Sequence, residues 1–129
     1  MSNAALKLLS ASGAKGQAKY IGVPHTLTSN KNFSLYSLSG NTLTKEDDIG
    51  AKSNASNGYQ CVFNPNPGTY GNILALTTSS GVSILDYTDG TLTELDTEGS
   101  SGTASLGCAY SADGSKLFVS GTTSGYIYR

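Results

Sequence analysis

Tryptophan is absent from these 129 residues, histidine and methionine occur once each, cysteine twice and proline three times, and only 13% of positions are charged. Each shortage excludes something. A lone histidine, His25, cannot furnish a zinc site that needs two, and it weakens any Ser-His-Asp arrangement. A formal net charge of −1, without clustered Lys and Arg, gives no electrostatic reason to bind nucleic acid or an anionic membrane. No run approaches the roughly 18 apolar residues of a membrane-spanning helix. Leu6-Lys7-Leu8-Leu9 is too short for the apolar core of a secretion signal, so no export route is expected. Without secretory context, Cys61 and Cys108 are expected to be small buried hydrophobes and not a disulfide. Nucleotide-loop, nucleophile-elbow and metalloprotease motifs are missing. Gly13-Ala14-Lys15-Gly16 runs into Gln17, where a phosphate loop requires Lys followed by Ser or Thr. No catalytic residue, metal or cofactor is expected.

The chain does contain a repeat. Tyr59-Gln60-Cys61-Val62-Phe63 and Leu106-Gly107-Cys108-Ala109-Tyr110 place apolar residues and cysteines in the same columns. Polar turns follow, Asn64-Pro65-Asn66-Pro67-Gly68 in one copy and Ser111-Ala112-Asp113-Gly114 in the other. Pro presets φ in such turns and Gly tolerates positive φ. Continuous apolar runs come next, Ile73-Leu74-Ala75-Leu76 and Leu117-Phe118-Val119-Ser120, with Tyr20-Ile21-Gly22-Val23 as the match in an earlier copy. They are expected to be strands covered on both faces. An alternating strand then places Phe33 and Leu35, Val82 and Ile84, and Tyr126 and Tyr128 on one face of their respective copies. Thr42-Leu43-Thr44 and Thr91-Leu92-Thr93 read as half-exposed outer strands.

The copies recur 49 residues apart from Phe33 to Val82 and 44 apart from Gly81 to Gly125, within the range of propeller blades. The sequence therefore predicts one all-β domain, 1–129, of blade-like units at approximately 6–50, 57–99 and 105–129. The last unit is incomplete, and a β-sandwich is the alternative. Leu6 to Leu9 is either the opening strand of the first unit or a short helix. Three units do not close a ring of at least four. The arc is therefore expected to bury its end faces by homo-oligomerisation or by docking on a larger assembly.

Glu46-Asp47-Asp48 and, one copy later, Glu94, Asp96 and Glu98 are the carboxylate clusters. They read as charge guarding an outer edge; a carbohydrate-active enzyme using Glu46, Asp47, Glu94 or Asp96 is one alternative. Asn32-Phe33-Ser34 and Asn54-Ala55-Ser56 match the N-glycosylation triplet, which is short enough to arise by chance. His25, in Pro24-His25-Thr26, reads as a loop residue between strands. Among the eight tyrosines, Tyr20, Tyr59 and Tyr110 fall in core columns. Tyr70, Tyr87, Tyr126 and Tyr128, with Arg129, are the candidate binding or interface residues. A Tyr ring packs while its hydroxyl stays hydrogen-bonded, which suits a surface buried against a partner. A lectin-like module stacking sugar on Tyr70 and Tyr87 is a further alternative.

The stretch Ala109-Tyr110-Ser111-Ala112-Asp113-Gly114-Ser115-Lys116-Leu117-Phe118-Val119-Ser120 resembles blades of WD40-like and YVTN-like β-propellers, and Gly125-Tyr126-Ile127-Tyr128 resembles the strand that follows. With joining segments such as Leu35 to Lys45, the pattern from Tyr20 to Arg129 is similar to propeller-like repeats of tailed-phage virion proteins. The Trp-Asp pair of WD40 blades is absent, replaced by Leu85-Asp86 and Tyr36-Ser37. The resemblance implies a non-enzymatic structural or adhesion protein in the capsid or tail of a virion. Its partner would be a neighbouring virion protein, another copy of itself or a host-surface glycan. A cytoplasmic location is the alternative.

Overall fold

The computed structural model describes residues 19–28, 30–51, 57–98, 104–122 and 125–128. They form ten strands: β1 (Lys19–Thr28), β2 (Lys31–Ser39), β3 (Thr42–Ile49), β4 (Gly58–Phe63), β5 (Ile73–Thr78), β6 (Gly81–Asp86), β7 (Thr93–Glu98), β8 (Ser105–Tyr110), β9 (Leu117–Gly121) and β10 (Gly125–Tyr128). The only helical pieces among the described residues are a single turn, α1 (Pro67–Tyr70), and a 3-10 turn at Thr88–Gly90. The strands make three open antiparallel sheets in the orders β1-β2-β3, β4-β5-β6-β7 and β8-β9-β10. Within each sheet every strand pairs with its neighbour in sequence, the outcome expected when short polar turns separate β-rich runs. No described helix is long and apolar enough to cross a membrane.

The sheets stack through two apolar layers. Phe33 and Leu35 of the first sheet meet Cys61, Phe63, Leu74, Leu76 and Leu85 of the second. The opposite face of the second sheet presents Val62, Ala75, Val82 and Ile84 to Cys108, Leu117 and Val119 of the third. The middle sheet is thus covered on both sides, and β5 is buried from Leu74 to Thr78. Each fully buried Leu of this kind contributes about 1.5–3 kcal/mol of transfer free energy. The leading strands run close together: β4 lies against β1, and β8 against β4 and β5. Gly22 permits the first approach, since a Cβ there would lie 2.7 Å from both Cys61 Sγ and Phe33 Cζ. At the second, the backbone N–H of Cys108 donates to Gln60 Oε1 (2.9 Å).

Several sequence expectations shift in three dimensions. Leu6 to Leu9 and Asn54 lie outside the described residues. Tyr59 was expected in the core, yet it is 42% exposed. A β-bulge between Gly58 and Gln60 adds a residue to β4 and turns Tyr59 out of the alternation. The same bulge recurs between Ser105 and Gly107, and Leu106 is exposed there for the same reason. β9 was expected to be covered on both faces, but its burial alternates, with Leu117 and Val119 buried and Phe118 44% exposed. No described sheet lies on its outer side. His25 lies within β1 and not in a loop, its Nε2 3.2 Å from Ser34 Oγ on the adjacent strand. Asn32 of the first glycosylation triplet is buried, and its amide pairs with both backbone groups of Ala51 (2.9 Å each).

Thr91-Leu92-Thr93 also departs from its counterpart. Thr42-Leu43-Thr44 starts β3, whereas Tyr87 to Leu92 leaves the ladder and folds inward. Tyr87, expected at a binding surface, is only 3% exposed. Its ring stands edge-on to Tyr20 (5.4 Å between centroids) and Phe63 (5.1 Å), so its apolar body is committed to the layer between the first two sheets. Replacing Tyr87 by Ala is expected to destabilise the fold by about 3–5 kcal/mol, and Tyr59→Ala by about 1 kcal/mol or less. Urea unfolding of the two variants checks the difference.

Candidate functional site

Two features of the third sheet stand out: an uncovered apolar face and a cavity behind it. The face is built by register. Ala109 pairs with Phe118 across β8–β9, and Phe118 with Ile127 across β9–β10, so the three side chains form one row across the sheet. Phe118 is 44% and Ile127 62% exposed, and Leu106 is exposed beside them. In the second sheet the corresponding row is Val62, Ala75 and Ile84, likewise aligned by Cα pairing, and there the third sheet covers it.

This register corrects the face assignment made from the sequence. Aligning Gly81 with Gly125 places Tyr126 and Tyr128 in the columns of Val82 and Ile84. The β5–β6 hairpin pairs Thr78 with Gly81, but the β9–β10 hairpin pairs Ser120 with Gly125. Its longer loop slips the register, and a slip of one residue exchanges faces. Ile127, not Tyr126 or Tyr128, therefore pairs with Phe118. The side chains of Tyr126 and Tyr128, and all of Arg129, lie outside the described residues.

The cavity, of about 250 Å³, lies between the second and third sheets. Its wall is mostly apolar: Ile73, Val82 and Ile84 on one side, Tyr110 and Leu117 on the other, with Asp96 and Tyr70 at the margin. Tyr70, one of the residues expected to bind, ends α1 and is 40% exposed. Burial pushes the Tyr110 hydroxyl above its ordinary pKa, against a hydrogen bond to Asn64 that lowers it, so the ring presents a neutral phenol.

The floor is set by the turn from Ser111 to Lys116. Asp113 accepts from Ser111 Oγ (2.6 Å) and from the backbone N–H and Oγ of Ser115 (3.1 and 2.9 Å). Gly114 has φ +76°, and a Cβ there would sit 2.3 Å from Asn64 Oδ1. The Asn64 amide closes the contact by donating to the Gly114 carbonyl (3.0 Å). Glycine is thus required twice over, by backbone conformation and by the close approach of the asparagine. The Asp-Gly pair of the sequence is a docking element between two sheets as well as a hairpin turn.

The carboxylates flagged by the sequence divide by location. Asp47 is occupied on both oxygens, with Oδ1 accepting from the Asp48 N–H and Oδ2 from the Leu92 N–H (2.8 Å each). Glu46 accepts from Ser37 Oγ. Asp48 pairs with Lys45 and Lys31, and the Lys45 hydrogen bond holds its carboxyl below the usual range. Glu94 and Asp96 sit on β7, paired with Leu85 and Ile84. No group of three or more His, Cys, Asp or Glu suited to a metal occurs among the described residues. Both cysteines are free and buried, and burial pushes both thiols up to about 12, which suppresses the nucleophilic thiolate.

The hydrogen bond from Ser111, followed by those from Ser115, lowers the Asp113 carboxyl from 3.8 to about 2. A depressed folded-state pKa stabilises above the unfolded value, and that contribution is lost as pH falls through the folded one. The turn should therefore hold down to pH 3.8 and loosen toward pH 2. A carboxyl-carbon NMR titration of Asp113 with a midpoint near 2 is expected, and an ordinary midpoint near 4 would contradict the turn geometry.

Comparison with protein-family models, with curated proteins and with solved structures finds no match to this chain.

Proposed function

We propose that this chain is a non-enzymatic assembly protein: an arc of propeller-type blades that continues by stacking onto a second copy of itself. Its setting would be the capsid or tail of a tailed phage, as a structural or adhesion component. One observation carries the reading. The row Ala109, Phe118 and Ile127 is exposed on the third sheet, while its counterpart on the second sheet is covered by a neighbouring sheet.

The rest of the stack says what would fit there. In the two junctions the chain makes, the leading strand of one sheet lies against the sheet before it. The face so applied carries aliphatic side chains, Leu74, Leu76 and Leu85 in one case and Leu117 and Val119 in the other. On the first sheet, the register pairs Gly22 with Leu35, and Ile21 with Tyr36. Leu35 belongs to the covered face, so by strand alternation Ile21, Val23 and Tyr36 share the opposite one. They are half-buried. A second copy would thus bring an apolar face of the required kind to the third sheet, in a head-to-tail contact that can close into a ring. Burying exposed aliphatic and aromatic surface supplies the driving force.

The virion setting comes from the resemblance of the repeat to phage propeller-like segments and is a separate matter from the stacking. Two measurements address the two parts. Sedimentation is expected to give a mass of two or more times 13.3 kDa. Phe118→Asp is expected to reduce it to a single copy, and Leu95→Asp, at an exposed site on β7 of the middle sheet, to leave it unchanged. A well-behaved single copy of the unmodified chain would overturn the stacking. Mass spectrometry of purified particles should place the chain among capsid or tail proteins, and its absence from them would remove the virion setting while leaving the assembly intact.

A further inference from the structure

The two junctions of the stack share the pattern of their apolar lining and differ in what fills it. Between the first and second sheets the apolar layer is lined by Tyr20, Phe33, Leu35, Phe63 and Leu74 and is filled by Tyr87 and Leu92. Strand pairing identifies the counterparts of this lining one junction later. Gly22 pairs with Leu35 as Ala75 pairs with Ile84, so Tyr20 corresponds to Ile73, Phe33 to Val82 and Leu35 to Ile84. Phe63 pairs with Leu74 as Tyr110 pairs with Leu117. Ile73, Val82, Ile84, Tyr110 and Leu117 all line the 250 Å³ cavity. The cavity is the same chamber, and among the described residues nothing stands in it where Tyr87 and Leu92 stand in the other.

The polar group at its margin repeats as well. β3 carries a bulge opposite Leu35/Tyr36, and β7 one opposite Ile84/Leu85. Asp47 and Asp96 occupy the same position beside these bulges, paired with Leu35 and Ile84. Each uses Oδ1 to accept the N–H of the next residue, at 2.8 Å in both cases. Asp47 then takes the Leu92 N–H on Oδ2 (2.8 Å). Asp96 stands at the cavity with the same geometry.

We infer that the cavity between the second and third sheets is a binding site for a polypeptide segment bearing an aromatic ring five residues before a leucine, the spacing of Tyr87 and Leu92. The aromatic ring enters between Ile73 and Tyr110, stacked edge-on as Tyr87 is on Phe63. Asp96 accepts the backbone N–H of the leucine in a charge-assisted hydrogen bond. The residues beyond extend along β10, whose outer edge is unpaired among the described residues, by strand addition. This site is distinct from the row of Phe118, which lies on the other face of the third sheet.

The chain itself supplies the probe. A synthetic peptide with the sequence of Leu85–Glu98, titrated into the isotopically labelled protein, is expected to bind saturably, one per chain. Resonances of Ile73, Ile84 and Tyr110 should move. Replacing the tyrosine of the peptide by alanine should weaken binding at least tenfold. Asp96→Asn in the protein should weaken it about tenfold without moving the thermal midpoint. Absence of saturation up to about 1 mM peptide, or equal binding of the alanine peptide, would overturn the inference. So would shifts confined to Ala109, Phe118 and Ile127, which would report the stacking face instead, and so would a free hexose that moves the cavity resonances where the peptide does not.

Discussion

A sheet whose two faces are both apolar must be covered twice, and this constraint organises the molecule. The middle sheet meets it within the chain. One face, with Cys61, Phe63, Leu74, Leu76 and Leu85, closes on Phe33 and Leu35. The other, with Val62, Ala75, Val82 and Ile84, closes on Cys108, Leu117 and Val119. β5 sits at the centre of both layers, so the stability of the whole stack rests on a six-residue strand with almost no exposed side chain. The third sheet inherits the same two-faced composition and has one described neighbour. Its outward row is the direct consequence.

Polar groups act in this stack as joints. Gln60 receives the Cys108 N–H, Asn64 holds the Gly114 carbonyl, Asp47 receives the Leu92 N–H, and Asn32 clamps Ala51. In three of these, those of Gln60, Asn64 and Asp47, a side chain of one sheet satisfies a backbone group of the next, in places where no ladder is available to do so. Such contacts fix the orientation of sheets whose apolar layers alone are non-directional. They also explain how a chain with few charges can be specific. The carboxylate of Asp47 is a connector at a bulge, and Asp96 is placed for the same task.

The repeat makes the two proposals separable. Stacking onto a further sheet follows from comparing the outer faces of the second and third sheets, and the peptide site from comparing the two layers between sheets. Both use the chain as its own reference: where one copy shows a group covered or a chamber filled, the other shows the chemistry of what would cover or fill it. A stack of sheets that meet through repeated, similar junctions accommodates both.

Much of the layout could be read from the residues. The columns of Cys61 and Cys108, the continuous run Ile73 to Leu76 and the Gly- and Pro-bearing turns determined an all-β chain of repeated antiparallel units with buried thiols, because side-chain alternation and turn chemistry are local properties. The tertiary structure decided what local pattern cannot carry. A bulge at Tyr59 turned an expected core residue outward, a longer β9–β10 loop put Ile127 in the place expected of Tyr126 and Tyr128, and the contacts of Tyr20 and Phe63 drew Tyr87 from an expected binding surface into the core. Which face of a strand is covered depends on register and on the neighbour that arrives there, and both are set by residues distant in sequence.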